Sequence, residues 1–230
     1  MESDIAHLPE LIRNYIQKSG ALGRPKVKSF RVDLAGRIRK KSNGVWMPFH
    51  SVQHNFLATM SRLFFMDAIM KHLPVSGYHY FRNGVAYMDI RLLSLFRVQY
   101  AAGVHLDKAE TVTYFNDMCC LAPATLIDPR ISWSESGDTY IRATFTNRGM
   151  SVSAFLYFNK QHELVNFISD DRGALTEDGK FLPLRWSTPL GQHDNRLGYH
   201  LPRHAEAVYN YDDGPFTYGI FEIVNVVYNK

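Results

Sequence analysis

The chain has 230 residues, 46% of them hydrophobic, enough to bury a core without disulfides or a metal, and no repeat or low-complexity tract marks a second domain. Its formal charge of +4 comes from 26 basic and 22 acidic residues spread along the sequence, which argues against a nucleic-acid binder. The 15 Phe, 13 Tyr and 3 Trp favour strands, because wide rings pack well across a pleated surface.

The opening stretch MESDIAHLPELIRNYIQKSG carries acidic residues early and lacks a basic start followed by an apolar run, so it does not read as a signal peptide. No later stretch approaches the ~20 apolar residues of a membrane span. As the sequence stands it predicts a cytoplasmic protein, although an envelope protein trimmed of its anchor would read the same way. Within this stretch, Pro9 suits a first helical turn, and Leu8, Leu11, Ile12, Tyr15 and Ile16 recur at helical spacing until Gly20, which predicts a helix over 9–19.

Strands are expected over 27–101. Phe30, Val32 and Leu34 alternate with Arg31 and Asp33, and Ala86, Met88 and Ile90 alternate with Asp89 and Arg91. Asn43-Gly44 and Asn83-Gly84 are the sharpest hairpin signals, since both residue types tolerate positive φ. The basic cluster Arg37, Arg39, Lys40 and Lys41 leads into the first of these turns and reads chiefly as a solvated hairpin tip, with phosphate or lipid-headgroup contact as the alternative.

A second helix is expected over 107–122. Asp107 and Glu110 have the spacing of a capping box, and Ala109, Val112, Phe115, Met118, Cys119 and Ala122 form one apolar stripe before Pro123. Cys119 then faces the core and Cys120 solvent. Adjacent cysteines rarely meet disulfide geometry, so both read as thiols.

Strands resume over 130–229, with weaker turn signals at Gly137-Asp138, Arg148-Gly149, Asp178-Gly179 and Asp213-Gly214. The least regular stretch, 169–202, reads as an extended loop with short strands. The whole is predicted to be one mainly β domain of the α+β class: an N-terminal helix and five or six strands on each side of a central helix. An antiparallel sheet of that size must curl, so a half-barrel wrapped around the central helix is expected. What the helix does not fill would be a cavity.

The motifs LAPATLID (121–128), ISW (131–133), ISDDRG (168–173), RWSTPL (185–190) and GPFTYGIFEIVNVVYN (214–229) stand in order. With WMPFHSVQHNF (46–56), they make nearly the whole chain similar to a bacterial family of unknown function. The strand, helix, strand order also resembles the half-barrel of the lipoprotein carriers LolA and LolB. That resemblance implies a fold that holds acyl chains.

Among candidate catalytic residues, Asp170, Asp171 and Arg172 offer two carboxylates beside a guanidinium, although strand alternation sets the carboxylates on opposite faces. A structural role, one Asp capping the turn before Gly173 and the other pairing with Arg172, is the plainer reading. Arg172 could instead grip a carboxylate or phosphate of a ligand. His50/His54 and His200/His204 have i, i+4 spacing, but on strands that spacing is roughly 13 Å, too far to share an ion. No metal site is predicted. The sequence has no Gly-x-Ser-x-Gly elbow and no Gly-rich phosphate loop, and nothing in it calls for a cofactor.

Met47, Phe49, Phe64, Met66, Tyr80, Tyr87 and Met88, with Phe115 and Trp186, are the predicted lining of a pocket, where thioethers beside rings accept long apolar ligands. A solid core built from the same residues is the competing reading. The expected function is a non-enzymatic binder or carrier of a hydrophobic or amphipathic, lipid-like small molecule. The rival is a hydrolase or isomerase of a hydrophobic substrate, using Asp171 and Arg172 with His54 or Tyr87.

Overall fold

The computed structural model describes residues 2–175 and 181–230. A short 3-10 turn and helix α1 (Glu10–Lys18) lead into six strands: β1 (Ser29–Ile38), β2 (Met47–Phe56), β3 (Ser61–Met70), β4 (Leu73–Arg82), β5 (Val85–Leu92) and β6 (Phe96–Ala102). Helix α2 (Val104–Leu121) follows. The chain then runs through β7 (Ile131–Ser136), β8 (Tyr140–Asn147), β9 (Met150–Phe158) and β10 (Leu164–Ser169). A short pair, β11 (Ala174–Leu175) and β12 (Phe181–Leu182), precedes β13 (Arg185–Gly191). A second short pair, β14 (Asp194–Arg196) and β15 (Tyr199–Leu201), precedes β16 (His204–Tyr211) and β17 (Gly214–Tyr228).

Thirteen strands form one antiparallel sheet, in the order β6-β5-β4-β3-β2-β1-β17-β16-β13-β10-β9-β8-β7. The first six strands meander outward from β1 to one edge. Helix α2 then crosses to the opposite edge, and the remaining strands meander back until β17 pairs with β1, with Phe30 opposite Tyr228. The second half thus contributes seven strands to the sheet, more than the sequence pattern suggested. The extra one comes from the stretch expected to be irregular: β13 is a full partner of both β10 and β16.

Twist accumulates across so many strands, and the two wings meet. The tight turn Asn83-Gly84 (φ 56° and 83°) joins β4 to β5, and Arg148-Gly149 (φ 48° and 83°) joins β8 to β9. Seven strands separate these hairpins in the sheet, yet Arg148 Nη2 donates to Asn83 Oδ1 at 3.3 Å. At the centre, Gly36 lies so close to β17 that a Cβ would stand 2.0 Å from the Ile220 carbonyl oxygen, and no larger residue fits there. The Asp178-Gly179 turn signal falls outside the described residues.

The wrapped sheet explains why α2 departs from its expected pattern. It begins at Val104 behind Gly103 (φ 110°), with no side-chain cap. Asp107 is therefore inside the first turn, where its Oδ1 accepts the Ala86 N–H at 2.6 Å and ties the helix to β5. Glu110 caps nothing. From Ala109 to Leu121 every residue is buried, Cys120 included, because strands surround the helix. The apolar face packs on the second wing, with Phe115 5.3 Å from Phe145 and 5.6 Å from Phe167 between ring centres. Helix α1 closes this side through Tyr15, whose hydroxyl donates to the Cys119 carbonyl at 2.7 Å.

Candidate functional site

On α2, Glu110, Thr113 and Asp117 recur at i, i+3 and i+7 and so share one face. That face looks toward the first wing. Inward positions of β2 alternate as Phe49, Ser51, Gln53 and Asn55, turning from apolar to polar along the strand. On β3, which pairs with β2, Arg62 begins an inward series that continues as Phe64, Met66 and Ala68.

Arg62 joins these polar groups. Its Nη1 donates to Glu110 Oε2 at 3.0 Å, its Nε to Asp117 Oδ2 at 2.9 Å and its Nη2 to Gln53 Oε1 at 2.8 Å. Asp117 Oδ2 also accepts from Gln53 Nε2 at 2.8 Å and Asn55 Nδ2 at 3.1 Å. His79 Nδ1 stands 3.3 Å from Glu110 Oε1. Burial pushes the Glu110 carboxyl up, but Arg62 and His79 more than offset it and hold its pKa at about 2. Burial also raises Asp117, and there Arg62 and Asn55 do not overcome it.

Arg172 forms a second polar centre beyond this network. Its Nε donates to Thr113 Oγ1 at 3.2 Å and its Nη1 to Tyr209 OH at 2.6 Å. The guanidinium lies over the Trp186 ring, 4.6 Å from its centre, and 5.7 Å from that of Tyr209. Trp186 Nε1 in turn donates to Tyr218 OH at 3.1 Å. Burial pulls the guanidinium pKa down, but Tyr209, Tyr218 and Glu110 outweigh it and raise the pKa. The group stays charged.

Between α2, the first wing and the central strands lies a cavity with two lobes. The first, about 480 Å³, is bounded by Arg39, Lys40, Met88, Gln99, His105 and Phe181. The second, about 340 Å³, is mostly apolar, lined by Leu34, Met47, Phe64, Met66, Met70 and Trp186 among others, with Arg62, Glu110 and Asp117 along the helix side. Arg172, His79, Glu110 and Tyr218 border both lobes.

The residues predicted from sequence divide between the cavity and other places. Met47, Phe64, Met66 and Trp186 line the apolar lobe, Met88 lines the first lobe, and Arg172 lines both. Phe49 is buried against Phe221 rather than open to the cavity. Phe115 is buried on the far side of α2. Tyr80 and Tyr87 stack on one another at 4.9 Å on the outer face of the sheet, because inward positions are odd on β4 and even on β5.

Asp171, Arg172 and His54 do not converge. Asp171 accepts Lys108 Nζ at 2.6 Å and the Ser153 N–H at 2.7 Å, away from the cavity, while Asp170 pairs with Arg185 at 2.8 Å. His54 stacks on Phe56 on the outer face. Neither Asp pairs with Arg172, contrary to the plainer reading of that motif. Among the described residues no three His, Cys, Asp or Glu side chains stand as metal ligands, and His200 and His204 pair instead with Glu163 and Glu222.

Arg62, Glu110, Asp117, Gln53 and His79 are absent from the predicted set. A signal for them existed: a polar stripe within an otherwise apolar helix, and a strand whose inward positions turn polar. Each alone reads as a wet surface, and only their apposition makes a site.

No helix among the described residues is long and apolar enough to cross a membrane. No curated protein matches the sequence. The fold is similar to that of a domain from Vibrio parahaemolyticus assigned as an outer membrane lipoprotein-sorting protein, with a TM-score of 0.53 at 7% identity, covering 94% of this chain and 91% of that one. A DUF1329 family protein from Desulfovibrio piger is similar at a TM-score of 0.50 and 7% identity, covering 95% and 92%. A LolA superfamily protein from Nitrosomonas europaea aligns at a TM-score of 0.42 and 10% identity, covering 95% and 94%. The profile of the family of unknown function DUF6544 matches residues 1–221, and the chain belongs to that family.

Proposed function

We propose that the protein is a non-enzymatic binder or carrier of a hydrophobic or amphipathic small molecule, held in the cavity between α2 and the sheet. The observation that carries this reading is the lining of the second lobe. Met47, Met66 and Met70 stand beside Phe64 and Leu34 around about 340 Å³ of space that the helix leaves open. Thioethers adapt to irregular apolar shapes, and apolar walls with a few polar groups are the usual make-up of small-molecule sites. The likeness of the fold to a lipoprotein-sorting domain supports the same ligand class.

The reading predicts that protein purified from its own host carries an apolar molecule. Native mass spectrometry before and after organic extraction tests this, together with titration of a fluorescent fatty-acid probe. Repeated recovery of empty protein that ignores the probe would overturn it.

A further inference from the structure

Resting on that reading, we propose that the ligand is a single-chain amphiphile with an anionic head, a carboxylate or phosphate monoester, and that Arg172 anchors the head while the tail fills the apolar lobe. The first argument is position. Arg172 borders both lobes, so a head placed there has the apolar lobe on one side and the more polar lobe on the other.

The second argument is the state of the guanidinium. Two of its nitrogens are occupied by the neutral oxygens of Thr113 and Tyr209, and Nη2 has no hydrogen-bond partner among the described residues. The Trp186 ring fixes its plane. A half-buried, oriented fork of N–H groups with no carboxylate of the described residues bonded to it is the arrangement that takes up a planar or tetrahedral anion.

The third argument is charge. Glu110, the carboxylate that borders both lobes with Arg172, is bonded to Arg62, which also holds Asp117. Arg39 spends its donors on the carbonyls of Thr217 and Ser42, which cancel no charge, and exposed Lys40 stands at the rim. Among the described residues the lining thus carries Arg39, Lys40, Arg62 and Arg172 against Glu110, Asp117 and Glu206, one positive charge in excess. That excess lies in the more polar lobe, where Arg39, Lys40 and Arg172 face Glu110 alone among the described residues, and this favours an anion over a neutral or cationic head.

The test is competition against a bound fluorescent probe by four twelve-carbon ligands below their micellar concentrations: dodecanoate, dodecyl phosphate, dodecanol and dodecylamine. At least one anion should bind about tenfold or more tightly than dodecanol, the range expected for hydrogen bonds to a charged group. The anion preferred distinguishes carboxylate from phosphate. Arg172→Gln should abolish that preference while dodecanol still binds, which also shows the cavity intact, and Arg172→Lys should restore only part of it. Should Arg172→Gln fail to fold, the ranking in the unaltered protein decides. Equal affinity for dodecanol and both anions, or a preference that survives Arg172→Gln, overturns the anchor alone. Failure of all four to displace the probe or to bind directly overturns the binder reading as well.

Discussion

Arg62 on β3 and Asp117 on α2 form an ion pair of 2.9 Å with side chains only 8% and 9% exposed, joining a strand of the first wing to the helix that crosses the sheet. Taking two charges out of water is expensive, and the attraction repays it only where the remaining hydrogen-bonding capacity is satisfied. Here Gln53 and Asn55 supply two further donors to the same carboxylate oxygen.

Removing the carboxylate should therefore cost more than removing its charge. Asp117→Ala leaves Arg62, Gln53 and Asn55 short of an acceptor and should destabilise the protein by about 3–5 kcal/mol. Asp117→Asn keeps an oxygen acceptor, and because burial already raises the Asp117 pKa, it should cost less than half as much. Urea denaturation of the two variants at neutral pH measures the difference.

Glu110 predicts an acid dependence of known sign. Its pKa is lowered from 4.5 to about 2 in the fold, so its contribution is fully present above about 4.5 and is lost as the pH falls toward 2. At 1.36 kcal/mol per pKa step, that contribution is on the order of 3 kcal/mol. Asp117 has the opposite sign: its raised pKa favours the fold at low pH, and that contribution fades as the pH rises through its folded value. Stability profiles between pH 2 and 6 should be flatter for Glu110→Gln than for the unaltered protein, and steeper for Asp117→Asn.

Ala68 tests whether the lobe is space or packed core. It is buried and lines the apolar lobe between Met66 and Met70 on the inward face of β3. In a close-packed interior a larger residue typically costs 1–3 kcal/mol. Ala68→Phe should instead change the melting temperature by no more than a few degrees, while weakening fatty-acid probe binding at least tenfold. A large loss of stability with unchanged binding would contradict the cavity.

Cys119 and Cys120 should be slow to react. Both are buried, and burial, ahead of nearby Asp117, pushes both thiols up. Because the thiolate is the reactive form, Ellman's reagent should find almost no thiol in the folded protein at pH 8 and two after denaturation.

The secondary elements, the antiparallel order and the curl around a central helix were legible in the sequence because they depend on short-range chemistry. Strand alternation, the turns Asn83-Gly84 and Arg148-Gly149, and the length of sheet that twist must bend are all local properties. Thioether and ring positions on β2 and β3 were legible for the same reason, since Met47 keeps the odd inward parity of β2, and Phe64 and Met66 the even inward parity of β3. The parity of Tyr80 and Tyr87 was open to the same reading, and it places them outside.

Tertiary structure alone decided what α2 does with its polar face. In isolation Glu110 reads as a cap and Asp117 as a solvated residue, because a helix lying on one flat sheet would leave that stripe in water. The wrapped sheet surrounds the helix, so those carboxylates meet Arg62 and His79 directly, beside the cavity. Arg172 likewise gains its meaning from residues far along the chain, Thr113 on the helix and Tyr209 and Trp186 on the returning strands. Charge pairing and cavity shape depend on which distant segments come within a few ångströms, and no local periodicity encodes that.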